Sequence, residues 1–368
     1  MARFTEEFEN PEDARLLLSE IKSLARSSRK KEIRFMEVCG THTVAIFRYG
    51  IRELVPKNIH LLSGPGCPVC VTPNSSIDQF IELSRMPGVI GAVFGDMMRV
   101  PGSDSSLEIE KAGGADVRVV YSGLDALKVA RDNPDKQVVF FAVGFETTAP
   151  TIAATVLIAA RDGVENFFVL PANKLIPPAI RAVLDTEDLV LDGLICPGHV
   201  STIIGSRVYE FIPSRYGIGA VVTGFQSTDI LFAISLLLRQ IVEGKPRVQT
   251  QYSRLVSDDG NPAALKIMNR VFEPCDSSWR GLGSIPQSGL NLRPEFVRFD
   301  FSNRLDATVL KSKEPEGCLC GEVLRGKKEP VDCPLFGSSC TPEAPVGACM
   351  VTTEGTCQAY YRYRGRVR

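Results

Sequence analysis

Histidine is scarce in this 368-residue chain, limited to His42, His60 and His199, and tryptophan occurs once, as Trp279. No charge of either sign prevails: 42 basic against 43 acidic residues give a net charge of −1. A broad electrostatic footprint for nucleic acid or an acidic membrane is therefore not expected. Long apolar runs are also missing. The most apolar segment, Ile230 to Leu238, is about half the length a bilayer span requires. The opening stretch MARFTEEFENPEDARLLL has no basic flank followed by a long apolar run, so no signal peptide is expected. There is no Walker A motif and no GxGxxG after a strand, which leaves nucleotide binding without support. No CxxxCxxC occurs, which argues against radical SAM chemistry of the usual kind. The expectation is a cytoplasmic protein with no nucleic-acid or membrane partner.

What is present in excess is cysteine, 11 residues in all. Without secretion a disulfide framework is disfavoured, and metal or redox chemistry is favoured. Cys39, Cys67 and Cys70 lie early, Cys196 and Cys275 are isolated, and Cys318, Cys320, Cys333, Cys340, Cys349 and Cys357 crowd the C-terminal end.

Hydrophobic residues at 44% and charged ones at 23% are ordinary for a globular chain, and the length suits two or three domains of about 150 residues. Asn10, Pro11, Glu12 and Asp13 read as the start of a helix whose apolar stripe is Leu17, Ile21 and Leu24. From residue 33 to 225 short apolar runs alternate with helix-like segments. Their ends read VCGTH (Val38–His42), LLSGPGCPVC (Leu61–Cys70), VFGDMMRVPG (Val93–Gly102), VVYSG (Val119–Gly123), FAVGFETT (Phe141–Thr148), FVLPANK (Phe168–Lys174), ICPGHVS (Ile195–Ser201) and VVTGFQS (Val221–Ser227). Eight such runs imply parallel sheets of βαβ units. A helix from Ser227 or Thr228 to about Val242 should stop at Gly244. The expected fold is α/β: two similar parallel-sheet domains of about four strands each, facing a cleft, followed by a Cys-rich iron–sulfur domain. The boundaries expected are 1–125, 126–245 and 246–368.

Ligands of open α/β sheets bind beyond the carboxyl ends of the strands. There the sequence places Cys39, His42, Cys67, Cys70, Asp96, Glu146, Thr147, Asn173, Lys174 and His199. Cys67 and Cys70 form a CxxC that can close a disulfide or hold a metal, and a helix from about Asn74 should favour a thiolate on Cys70. Cys39 stands between a strand and a helix, a position that also favours thiolate. Cys196 and Cys275 read as packing residues, and His60 as a surface or packing residue. Among the C-terminal six, Cys320, Cys333, Cys340 and Cys357 have the spacing C-x12-C-x6-C-x16-C, without the tight knuckles of structural zinc sites. Wide all-thiolate spacing suits an iron–sulfur cluster, although the spacing alone leaves open which four of the six are ligands.

Taken together, the motifs resemble those of the HypD family of hydrogenase maturation factors. The resemblance rests on MEVCGTHT (Met36–Thr43), GPGCPVCV (Gly64–Val71), FGDMMRVPG (Phe94–Gly102), VGFETTAPT (Val143–Thr151), CPGHVS (Cys196–Ser201), WRGLGSIPQSGL (Trp279–Leu290), CGEVLRG (Cys320–Gly326), CPLFGSSC (Cys333–Cys340) and EGTCQAYYRY (Glu354–Tyr363). It implies a scaffold that, with the small partner HypC, carries an Fe(II) ion while that ion acquires two cyanides and a carbon monoxide. Cyanide comes through HypE, with HypF upstream, and the Fe(CN)2CO unit passes on to the large subunit of a [NiFe] hydrogenase. By the same resemblance Cys39 is the iron-holding thiolate, and His42 and His199 line its pocket. Cys67 and Cys70 cycle between dithiol and disulfide. Cys320, Cys333, Cys340 and Cys357 hold a [4Fe-4S] cluster, and Cys318 and Cys349 form a second thiol pair beside it. This arrangement is similar to ferredoxin:thioredoxin reductase. Two positions depart from the family pattern: Val44 stands where some members have a second histidine, and Gly224-Phe225-Gln226-Ser227 stands where many read GFEP. An alternative reading is a general cluster-driven thiol–disulfide reductase acting through Cys67 and Cys70, and a further one is a zinc-stabilised interaction protein.

Overall fold

The computed structural model describes residues 10–305 and 312–363. Part of the opening stretch read for a signal peptide, residues 1–9, lies outside them. All eight expected runs form strands: β1 (Ile33–Glu37), β2 (Ile59–Ser63), β3 (Val89–Val93), β4 (Val117–Val119), β5 (Gln137–Gly144), β6 (Phe167–Asn173), β7 (Gly193–Pro197) and β8 (Gly219–Thr223). A short β9 (Val248–Thr250) and an antiparallel hairpin, β10 (Phe272–Trp279) and β11 (Gly283–Leu292), complete the set among the described residues. Strands β3 and β8 are buried along their whole length, as strands covered on both faces must be.

The strands make two parallel sheets, ordered β2-β1-β7-β8-β9 and β4-β3-β5-β6. They are not consecutive in the chain. After β2 the backbone leaves to build the whole second sheet and then returns, so that β7 pairs with β1 through Phe35↔Gly193. The expected division at residue 125 therefore does not follow the sheets. Gly193 permits the return, because a Cβ there would come within 3.1 Å of the Phe35 ring and 2.9 Å of Leu237. The expected boundary at 246 does not follow the packing either. β9 extends the first sheet, the helix Pro262–Val271 packs on the helix Ala149–Arg161 of the second, and β11 lies against β6. The distinct Cys-rich segment starts only after the hairpin and its following turns.

The helices obey local rules. In Pro11–Ser27 the Asn10 side chain accepts from the Glu12 N–H at 2.9 Å, and Ile21 and Ala25 are buried. That helix packs on Ser227–Glu243, which stops at left-handed Gly244, φ 64°. The apolar interior falls into three regions. One lies under these two helices against the first sheet, and one between the second sheet and its outer helices. The largest joins the sheets to each other and to the Cys-rich segment, and includes Met36, Cys70, Phe141, Cys196, Trp279, Cys320 and Cys349. No described helix is long and apolar enough to cross a membrane.

Candidate functional site

Cys39 leaves β1 and occupies the N-cap of the helix Gly40–Arg48, where its side chain makes no capping hydrogen bond although the nearby His42 and Thr41 backbone favours its thiolate form. A helix N-terminus favours an anion by ~0.3–1 kcal/mol, up to about 2 when partly buried. Burial of a thiolate costs more. Burial, with the Glu354 carboxylate nearby, pushes the Cys39 thiol up to about 12. The expected thiolate is thus not favoured at Cys39 in the protein alone. Below it, Glu37 is buried, accepts the Cys39 N–H at 2.9 Å and is hydrogen-bonded by the Thr43 hydroxyl. Burial raises this carboxyl to about 8 despite those donors.

The CxxC is pressed against Cys39 by glycine. Gly40 N–H donates to the Gly66 carbonyl at 2.9 Å, and Gly64 N–H to that of Glu37 at 2.8 Å. A Cβ on Gly66 would stand 2.2 Å from the Cys39 nitrogen, so only glycine allows this approach. Cys67 and Cys70 are joined by a disulfide, so the thiolate expected on Cys70 is absent. Cys67 caps a short helix, Pro68–Val71, ahead of the expected helix, which runs Asn74–Ser84.

Both histidines meet one aromatic ring. Phe225 lies 4.8 Å from His42 and 4.0 Å from His199, centroid to centroid. His42 is fully buried. Its Nε2 lies 2.9 Å from the Gly224 carbonyl, and its Nδ1 has no partner. Burial lowers its basicity to about 4, against the pull of the Gly224 and Thr223 carbonyls. His199 is solvent-exposed on one side, and partial desolvation lowers it too. From the second sheet, Glu146 accepts the Ile176 N–H at 2.9 Å and leaves its other oxygen buried and unpaired. Burial raises it to about 7. Tyr209 is buried and hydrogen-bonded to Ser201 at 3.1 Å, and burial, with Cys196, Glu146 and Cys39 adding to it, raises its phenol well above the ordinary value.

The C-terminal segment closes over this edge. Its last described helix, Thr356–Tyr363, packs on the Cys39 helix, with Phe47 and Tyr360 rings 4.9 Å apart. Thr41 donates to Glu354 at 2.8 Å, and Thr352 to Asp96 at 3.0 Å. The turn Ala348–Met350, which carries Cys349, packs directly on the Pro68–Val71 helix. Arg280 joins the same two parts: its N–H donates to Val71 at 2.8 Å, Nε to Thr72 at 3.1 Å and Nη1 to Glu314 at 2.9 Å.

Within this segment the sulfur partners differ from expectation. Cys349 meets Cys320, with the sulfurs 2.9 Å apart, and not Cys318. Their hydrogen bond holds the Cys320 thiol below its ordinary value and, together with a second one to the neighbouring Cys357 and burial, raises that of Cys349. Cys318 lies outside this pair, near Gly347, and is raised to about 12 by burial and by its neighbours Cys320, Cys333 and Cys357. The sulfur of Cys340 accepts the Val346 N–H at 3.3 Å. Among the described residues no three His, Cys, Asp or Glu side chains already surround a common metal position. The fit to a cluster therefore rests on the all-thiol donor set.

The remaining candidates differ in how they are held. Lys174 is buried, donates to Ser277 at 2.7 Å, and is lowered to about 8 by burial. Asn173 is buried with both amide atoms unpaired, and the Thr147 position lies in the turn after β5. Trp279 packs inside, donating to Ser288 at 2.8 Å and stacking on Phe145. Cys196 is fully buried, Cys275 lies half-exposed on β10, and exposed His60 pairs with Glu32. Sequence reasoning missed Glu37, Arg280, Glu354 and the Gly224 carbonyl. All four stand within motifs quoted above, but their burial and partners could not be read there.

Thiols from both ends of the chain, gathered at the carboxyl edge of a parallel sheet with two imidazoles, define an α/β protein equipped for sulfur redox or soft-metal chemistry. The comparisons with known proteins make this specific. A family profile described as "HypD: Hydrogenase formation hypA family" matches residues 12–364. The chain is 46% identical to hydrogenase maturation factor HypD2 of Bradyrhizobium diazoefficiens, over 100% of this chain and 98% of that protein. It is 46% identical to hydrogenase maturation factor HypD of Rhodobacter capsulatus over 99% and 98%, and 43% identical to that of Escherichia coli over 98% and 98%. The chain belongs to the HypD family, and its role lies in hydrogenase maturation.

Proposed function

We propose that this chain is the scaffold on which, together with HypC, an iron ion is held while it acquires two cyanides and a carbon monoxide. Cyanide arrives through HypE and HypF, and a hydrogenase large subunit is the destination. The iron is cargo. Cys39 supplies its thiolate on this chain, since binding a soft-acceptor iron repays deprotonation that burial otherwise opposes. His42, His199 and Glu146 line the pocket. The observation that carries the reading is the packing of Cys39, the Cys67–Cys70 loop and the Cys349 turn against one another.

The 2.9 Å approach of Cys320 and Cys349 supports taking these two as the second redox pair. Cys318, Cys333, Cys340 and Cys357 are then left for a [4Fe-4S] cluster, a revision of the set implied by family resemblance. A bound cluster supplies single electrons taken from a low-potential donor. The protein's own step is an exchange: the Cys320 and Cys349 thiols close to a disulfide as the Cys67–Cys70 disulfide opens to two thiols. Two electrons and two protons pass from one pair to the other. Burial of Cys67 and Cys70 (3% and 0% exposed) weighs against a general reductase of protein substrates.

The test is infrared spectroscopy with iron analysis on anaerobically purified protein co-expressed with HypC. Cyanide and CO stretching bands, with iron in excess of one four-iron cluster, are expected. A brown protein with cluster iron and no such bands, despite an intact pathway, would move the weight to the reductase reading.

A further inference from the structure

The Gly224 carbonyl that receives His42 is held by residues outside the pocket. Gly224 N–H donates to Gln251 Oε1 at 3.1 Å, and Gln251 Nε2 donates to Asp229 Oδ1 at 2.6 Å. The Gly224 N–H can only donate, and both Asp229 oxygens face the Arg254 guanidinium, so the Gln251 amide turns its oxygen toward Gly224 and its nitrogen toward Asp229. Asp229 also receives the Gln226 N–H at 3.4 Å, so it clamps the chain on both sides of the Gly224–Phe225 peptide. Arg254 grips the carboxylate with both terminal nitrogens, at 3.0 and 2.6 Å. Asp229 is fully buried, and a Cβ on Gly224 would lie 2.2 Å from its Oδ2. Thr223 Oγ1, 2.9 Å from both the Asp229 carbonyl and Gln251 Oε1, closes the network.

We propose that Asp229, Gln251 and Arg254 are positioning residues that fix His42 as the Nε2–H tautomer and keep its Nδ1 lone pair free for an incoming donor or metal. A carbonyl can only accept, so the hydrogen must sit on Nε2, 2.9 Å away. Nδ1 is buried with no partner, and a hydrogen there would be an unpaired buried donor, whereas a lone pair can await a ligand. Phe225, against the ring at 4.8 Å, sets its plane. The purpose of a free Nδ1 rests on the function proposed above, but the tautomer does not.

The test is ¹⁵N NMR of histidine-labelled full-length protein purified without its partners. The three histidine signals are assigned with His60→Gln and His199→Gln. His42 should show a pyrrole-type Nε2 and a pyridine-type Nδ1, as one tautomer. Asp229→Asn and, separately, Gln251→Leu should each bring in the second tautomer while His60 stays unchanged. If Asp229→Asn fails to fold, Gln251→Leu, which removes no charge, decides. A hydrogen on Nδ1 in the unaltered protein, or a single unchanged tautomer in the folded variants, overturns the proposal. Failure to find iron-bound cyanide would leave this result untouched, so the two readings fail separately.

Discussion

At the residue scale, burial raises two acids of the site, the Cys39 thiol and the Glu146 carboxyl, above their ordinary values. Burial makes Cys39 hard to ionise where it stands, so the iron proposed above has to favour its thiolate. Cys39→Ala should abolish the cyanide and CO bands of the HypC complex and leave the cluster's visible absorbance intact. Persistence of those bands would remove Cys39 as the iron ligand. Glu146 makes a prediction about the chain alone. Its folded value of about 7 lies above the ordinary 4.5, so between these the folded state holds more protons than the unfolded. That contribution is complete below pH 4.5 and is lost as pH rises through 7. Glu146→Gln removes it. Relative to the variant, the native chain should lose roughly 1–3 kcal/mol of unfolding free energy between pH 4.5 and 8. Urea titrations at the two pH values measure this, and a pH-independent difference would refute it.

At the element scale, the site is assembled by loops that glycine brings into contact. Gly66→Ala should cost about 1–3 kcal/mol or more, since the atoms in the way are Cys39 backbone. Gly95→Ala, whose Cβ would meet Val119 at an ordinary 3.6 Å, is the control. Equal melting temperatures for the two variants would show that the Cys67 loop is not pressed on Cys39. In the C-terminal segment, Cys318→Ser should bleach the cluster absorbance, and Cys320→Ser should retain it. The reverse outcome would restore the ligand set implied by family resemblance. The strand runs, the caps at Asn10 and Gly244 and the strand-end positions of Cys39, Cys67 and His199 were legible because each is a local property. The Cys320–Cys349 contact was not. Two cysteines two positions apart have identical chemistry, and only the fold of a segment with little regular structure decides which one faces Cys349. The thiolate expectation at Cys39 failed for a related reason: a helix terminus is visible in sequence, while the burial that outweighs it is not.

At the scale of the whole molecule, the interleaved sheets explain why the early cysteines depend on the late chain. Parallel pairing leaves no short-range signal of partner choice, because the connection between β1 and β7 is long and could have joined either sheet. The hydrophobic runs show that strands exist but do not show which ones meet, so two consecutive four-stranded sheets looked equally good. In the structure β1, which delivers Cys39, is sandwiched between β2 and β7. The Cys39 helix is covered by Thr356–Tyr363 from the far end. A fragment of residues 1–125 contains β1 to β4 but neither a complete first sheet nor a complete second one. It should therefore lack a cooperative thermal transition and remain without dispersed amide resonances. Co-expression with residues 126–368 should restore both, since that fragment brings β5 to β9 and the Cys-rich segment. A cooperative, dispersed 1–125 fragment on its own would mean that the first half is an independent domain after all. It would also mean that the approach of Cys39 to the late thiols is a docking event between separate bodies and not a consequence of how the sheets are threaded.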